Sequence, residues 1–344
     1  MMTTARALDM GSFVVERVRE QPRRRRERDD VARIAKAAYR EAGGRSPTGG
    51  VWVWTPHRVT WIRPDAVVKV GRVKYGENSL RNELAARSRI HRDPGTEALR
   101  RLVASTHWSG SCSGRFTVVE ERLTGTPLEA LMHDSGLLAT VGQEVSDVRR
   151  TTTHSVTADD NRVLCWFVGP AANVTTLLKR WGRRDLGDAV AAWARKTAEG
   201  LRGHTCQVCL VHGDLWPGNA LVHRGGVSGL VDWDQAAFHD AALHDVLHFS
   251  LVPLARERRV DLGLLVREAL IDNTGEGGLQ KALGQEDFEQ GCLDMGLSAR
   301  DALIWYWLRH TARMSVEPGH ANNPRWVARN LVAVASVLKD RKLR

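Results

Sequence analysis

Apolar and polar positions alternate in three short runs near the start of the chain and recur at helical spacing over most of the remainder. Val51-Trp52-Val53-Trp54, Arg58 to Ile62 and Ala66 to Val70 are rich in β-branched and aromatic residues, with Thr55-Pro56 and Pro64-Asp65 between them. This pattern predicts three strands joined by turns. Phe116 to Glu120 carries the same signal. Ahead of the strands, Val31, Ile34, Ala38 and Tyr39 share one face of a helix that starts at Asp30 and stops at Gly43-Gly44. A second helix is predicted from Ser79 to His91, with Leu80, Leu84 and Arg87 on one side and Asp93-Pro94-Gly95 as its end. After Thr124-Gly125-Thr126-Pro127 helices dominate: Leu137 to Arg150, Leu186 to Leu201, and most of Asp261 to Leu343, where Leu303, Trp307 and His310 keep helical spacing. Short strands are expected at Leu210 to Val211, Ala220 to Val222 and Gly229 to Val231. The predicted organisation is α+β: a basic, flexible leader (1–29), a strand-rich lobe (30–122), a linker (123–128) and a mostly helical lobe (129–344). A cleft between two lobes is a natural ligand site.

Composition narrows the class. The 344 residues suffice for one large domain or two moderate lobes. No run of about 18 apolar residues predicts a membrane span, and Met1 to Val15 lacks the apolar core of a secretory signal. Five cysteines, Cys112, Cys165, Cys206, Cys209 and Cys292, fit a reducing cytoplasm better than a disulfide framework. The net charge of +10 owes part of its size to Arg17, Arg19, Arg23 to Arg26 and Arg28. Such a run can touch nucleic acid or anionic lipid. With no nucleic-acid motif and few Tyr and Phe for stacking, a solvated arm is the simpler reading.

The chemistry concentrates in His212-Gly213-Asp214-Leu215-Trp216-Pro217-Gly218-Asn219, followed by Val231-Asp232-Trp233-Asp234. H-G-D with Asn five residues on should arise by chance in well under about one percent of chains this long. Phosphoryl transfer explains the combination. A nucleoside triphosphate needs a divalent cation to bridge its oxygens, and Mg²⁺ takes hard oxygen ligands. The carboxylate of Asp232 and the amide oxygen of Asn219 suit it, while Asp214 can orient an attacking hydroxyl and accept its proton. The loop is short and stiffened by Pro217, and a hairpin through Gly225-Gly226 returns Asp232 to the same place. The alternative is that Asp214 and Asn219 only cap turns, which the second motif makes the weaker reading. Upstream, Lys69 interrupts the apolar run Ala66-Val67-Val68-Lys69-Val70. A buried lysine is costly unless paired. Glu83, on the following helix, is a plausible partner that would hold Lys69 against phosphates. A solvent-facing edge lysine is the alternative.

These residues identify a resemblance. HGDLWPGN, VDWD, AVVKV around Lys69, the helix bearing Glu83, and VEERLTGTPL from Val119 to Leu128 are similar to the aminoglycoside phosphotransferase and small-molecule kinase family. That family shares its two-lobed fold with protein kinases. The similarity spans roughly residues 40 to 340, with only the two later motifs specific. Gly213 stands where protein kinases have Arg, which favours a small-molecule kinase. The resemblance implies that Asp214 is the catalytic base, Asn219 and Asp232 hold Mg²⁺, and Lys69 contacts phosphate and pairs with Glu83. It also implies that the carbonyl of Glu120 and the amide of Arg122 meet adenine and that His212 braces the loop from behind. The implied activity is transfer of the γ-phosphoryl of ATP or GTP to a hydroxyl of a small polar molecule, such as an aminoglycoside-like antibiotic, sugar, amino sugar or amino alcohol. There are departures. Phe238-His239-Asp240-Ala241 replaces the usual Gly-Asp-Pro, so Asp240 matches without its flanks, and Asp245 is a further candidate buttress. Only Gly43-Gly44 and Gly49-Gly50 could form a glycine-rich phosphate loop, and Thr151 to Gly182 reads as an insertion that would shape the acceptor pocket.

Weaker signals point elsewhere. His204, Cys206, Cys209 and His212 have zinc-ligand residue types, but a strand through Val208 to Val211 would send them to opposite faces. Trp233, Trp305 and Trp307 read as core. Asp272, Glu276, Glu286, Asp287, Glu289, Asp294 and Asp301 could line a pocket for a cationic substrate or simply face water. Two rival functions follow. One is a regulatory pseudokinase, against which the presence of Lys69, Asp214, Asn219 and Asp232 together argues. The other is a nucleic-acid-associated protein acting through its basic arm.

Overall fold

The computed structural model describes residues 22–46, 48–271, 285–317 and 319–340. The chain divides into two compact units, each assembled from two stretches of sequence. One takes the described residues up to Thr151 together with His212–Ala236, and the other takes Thr152–Val211 together with the described residues from Ala237 onward.

The first unit opens with helix α1 (Pro22–Glu41). It already covers Pro22 to Asp29, ahead of the start expected at Asp30. Part of the expected leader is therefore helical, and residues 1–21 lie outside the described residues. Glu27 accepts from Arg72 at 2.9 Å, and Arg28 lies over Trp54, so these turns are tied to the strands that follow. Those strands are β1 (Val51–Trp54), β2 (Arg58–Ile62), β3 (Ala66–Gly71), β4 (Thr106–Cys112) and β5 (Arg115–Glu121), with helix α2 (Lys74–Arg92) between β3 and β4. They form one antiparallel sheet in the order β1-β2-β3-β5-β4.

The period of two along a strand decides what each face carries. Val59, Trp61, Val68, Val70 and Val119 pack with Val31, Ile34, Ala35, Ala38 and Tyr39 of α1. On the other face, Phe116 and Val118 pack with Leu80 of α2. Thr60 pairs with Lys69, Lys69 with Val118, and Val67 with Glu120. Register thus sends Arg58, Lys69 and Glu120 to the α2 face. The expected linker carries a strand of its own: β6 (Thr126–Pro127) adds to the hairpin of β9 (Ala220–His223) and β10 (Gly226–Leu230).

The second unit holds a small sheet, β11 (Ala237–Asp240), β8 (Thr205–Val211) and β7 (His154–Thr157), and a large helical core. Trp305, Tyr306 and Trp307 are fully buried in that core, on the helix Ala299–Met314. The stretch read as an insertion contributes β7 and the helix Gly169–Arg180, whose Ala171, Val174, Leu177 and Leu178 join the same core. Asp240 is buried and pairs with Arg309 at 2.5 Å, while Trp166 donates to it at 2.8 Å. Burial alone would raise the Asp240 carboxyl, but Arg309 more than offsets this and holds it at about 2. Among the described residues no helix is long and apolar enough to cross a membrane.

Candidate active site

The loop His212–Asn219 is fixed from both sides. Gly213 has φ +80, and a Cβ there would lie 2.1 Å from the carbonyl oxygen of Gln235. Only glycine meets both demands without displacing backbone, which gives a physical reason for Gly rather than Arg at this position. His212 Nε2 donates to the Val231 carbonyl at 2.9 Å, and its Nδ1 accepts from the Asp214 amide at 3.3 Å. The imidazole is therefore protonated on Nε2 and buttresses the loop with its ring against Trp233. Asn219 Nδ2 donates to the Asp214 carbonyl at 2.9 Å and to Asp214 Oδ2 at 3.1 Å. The Val231 amide donates to the Asn219 carbonyl at 3.0 Å. This delivers Asp232 beside the loop in a left-handed conformation, φ 64 and ψ 57.

Lys69 reaches the same place from β3. Its Nζ lies 2.5 Å from Glu83 Oε1, 2.8 Å from Glu120 Oε1 and 3.6 Å from Asp232 Oδ1. The side chains of Lys69, Glu83 and Glu120 are at most 5% exposed. Burial disfavours the ammonium, but Glu120 and Glu83 outweigh it and raise the Lys69 pKa, so the side chain stays charged. Asp232 behaves in mirror image. Burial raises its carboxyl, yet Arg58 and Lys69 bring it down to about 2. It is ionised at neutral pH and would be protonated only near that value. Asp234, whose Oδ2 accepts from Ser79 at 2.7 Å, is instead raised by burial.

The structure thus brings together five residues singled out from sequence: Lys69, Glu83, Asp214, Asn219 and Asp232. Glu120 joins them by its carboxylate, where only its backbone had been expected to act. The Arg122 guanidinium donates to the Arg63 carbonyl at 2.9 Å. Sequence reasoning missed Arg58, whose Nη2 lies 2.9 Å from Asp232 Oδ2 and whose Nη1 lies 3.7 Å from Glu83 Oε2. It also missed Arg87, 3.0 Å from Glu120 Oε2. Alternation in β2 sets Arg58 apart from Val59 and Trp61, but only the register with β3 aims it at this cluster. Cys206 and Cys209 are buried along β8, and among the described residues no three His, Cys, Asp or Glu side chains are grouped to hold a metal ion. Asp272 and Glu276 lie outside the described residues.

The donor set matches a hard divalent cation. The Nδ2 group of Asn219 is committed to Asp214, and no described residue donates to its Oδ1, leaving the amide oxygen for a cation. Asp232 supplies a carboxylate that stays ionised. Two protein oxygens and several waters suit Mg²⁺.

Comparison with known proteins agrees with this arrangement. The sequence model of the phosphotransferase enzyme family matches residues 42–276. No curated protein sequence matches the chain significantly. Among solved structures, a thermostable mutant of aminoglycoside phosphotransferase APH(4)-Ia in ternary complex with ADP and hygromycin B is similar. It has 14% identity and a TM-score of 0.53, over 88% of this chain and 98% of that one. A second such mutant, in complex with AMP-PNP and hygromycin B, gives 14% identity and a TM-score of 0.52 over 88% and 97%. At this identity the likeness concerns the fold, which is α+β and protein-kinase-like. Since the family match extends over more than half of its length, the chain belongs to the phosphotransferase enzyme family.

Proposed function

We propose that this phosphotransferase is a small-molecule kinase that moves the γ-phosphoryl of ATP to a hydroxyl of a small polar acceptor. The observation that carries the reading is the approach of Lys69 to within 3.6 Å of Asp232, beside the Asp214–Asn219 pair. A phosphate-gripping cation, a metal carboxylate and a base then serve one triphosphate. Asn219 and Asp232 would hold Mg²⁺, which neutralises phosphate oxygens as charge spreads over them. Lys69, oriented by Glu83 and Glu120, would bind the phosphates. The carbonyl of Glu120 and the amide of Arg122 would meet the adenine edge. Asp214 would accept the proton of the acceptor hydroxyl as that oxygen attacks in line, and Asn219 Nδ2 keeps its carboxylate turned for the task. No side-chain nucleophile is suggested, so transfer is direct. The similar structures bound to hygromycin B make aminoglycoside-like hydroxyls the first acceptors to try, followed by sugars, amino sugars and amino alcohols. A cytoplasmic setting fits the free cysteines.

The test is to incubate the protein with ATP, Mg²⁺ and a panel of these acceptors and to read products by mass spectrometry. One acceptor should gain the mass of a single phosphoryl group, with ADP formed in equal amount. ADP formation that no acceptor in a broad panel stimulates would count against the reading.

A further inference from the structure

Arg58 and Arg87 are cations of the cluster that the mechanism above leaves without a task, and Arg58 is the one of the two in contact with Asp232. It is the first residue after the β1–β2 turn, Thr55-Pro56-His57, and that turn has no main-chain donor to offer a phosphate. The Thr55 amide donates to the Arg58 carbonyl at 2.9 Å. Pro56 has no N–H. The His57 and Arg58 amides donate to Thr55 Oγ1 at 3.4 and 3.0 Å. The turn is also clamped from outside. The Arg72 amide donates to the His57 carbonyl at 2.8 Å, and Arg72 Nη1 donates to the Thr55 carbonyl at 2.6 Å. A Cβ on Gly76, in the first turn of α2, would stand 1.9 Å from the His57 carbonyl oxygen. Glycine-rich loops wrap phosphates with free N–H groups, whereas the Thr55, His57 and Arg58 N–H groups of this turn are already bonded within it. Phosphate charge beside this turn would then be met by a side chain.

Arg58 is placed to meet it. Its side chain is 19% exposed, and its guanidinium sits against Asp232 at 2.9 Å and Glu83 at 3.7 Å. We infer that Arg58 is a phosphate-binding residue that is parked on Asp232 while nucleotide is absent and passes to the triphosphate when a metal ion claims that carboxylate. The inference rests on the kinase reading and extends it. The electrostatics run in one direction. With a divalent cation held at Asp232, the charge that holds Arg58 would be taken up and the guanidinium repelled, and triphosphate oxygens would suit its planar fork.

The experiment measures affinities for adenosine and for ATP with Mg²⁺ by calorimetry, in the wild-type protein and in Arg58→Gln. Loss of a charge-assisted phosphate contact should weaken ATP by about tenfold or more and leave adenosine within about twofold. A purely structural tie would weaken both alike or neither, and either result overturns the inference. Should Arg58→Gln fail to fold, Arg58→Lys serves. It keeps one positive charge but not the fork, and it should lose about threefold or more in ATP alone. If adenosine and ATP bind the wild-type protein equally, the kinase reading fails and Arg58 fails with it. If ATP is preferred by wild type and equally by the variants, Arg58 alone fails.

Discussion

Asp214→Asn is expected to lower turnover by about a thousandfold while leaving ATP affinity within about twofold. The substitution preserves shape. An asparagine at 214 can still place an oxygen toward Asn219 Nδ2, which now contacts Asp214 Oδ2 at 3.1 Å, so the loop should keep its geometry. What is lost is the capacity to take a proton. Because His212, Gly213 and Val231 hold the loop by main-chain and imidazole contacts, the effect should fall on kcat and not on folding. The measurements are kcat with the acceptor found by mass spectrometry, the ATP dissociation constant, and the melting temperature. Turnover within tenfold of wild type would remove Asp214 from the role of base.

Lys69→Met should produce the largest loss of stability among the site substitutions. Lysine and methionine are similar in length, so packing changes little, but the charge balance does not survive. Glu83 and Glu120, at 2% and 5% side-chain exposure, would lose their contacts at 2.5 and 2.8 Å. They would be left with Arg58 at 3.7 Å and Arg87 at 3.0 Å. Breaking a buried ion pair on one side costs about 3–5 kcal/mol, because the remaining charge is stranded. Removing both members is far milder, so adding Glu83→Met to Lys69→Met should restore most of the loss. Denaturant titration of the three proteins decides the matter. A Lys69→Met protein as stable as wild type would mean that the network contributes little net energy.

Much of this site is legible in sequence because its residues announce themselves locally. A lysine inside an apolar strand, a glutamate on the next helix, and a loop spelling H-G-D with Asn five residues on need no knowledge of which strand pairs with which. Arg58, Arg87 and the carboxylate of Glu120 do need it. Each is an ordinary charged residue until the order β2-β3-β5 puts it on the α2 face. The same limit applies to the fold. The strand Thr106–Cys112 has Trp108 as its one large apolar residue and offers no clear apolar alternation, and it becomes a strand by pairing with Arg115–Glu121. Helix α2 begins at Lys74, ahead of the expected Ser79, because its first turn packs on the β1–β2 turn through Gly76. The stretch read as an insertion is helical where its apolar residues find the core of the second unit. Chain order likewise gives no hint that His212–Ala236 shares a compact unit with the five-stranded sheet.

The central claim is that side chains from separate segments serve one metal-bound nucleotide. Mn²⁺ can replace Mg²⁺ and be followed by electron paramagnetic resonance in the presence of ATP. The account predicts a protein-bound Mn²⁺–ATP signal in the wild-type protein and at least about tenfold weaker binding in both Asp232→Ala and Asn219→Ala. Undiminished Mn²⁺–ATP binding in the two variants would contradict it.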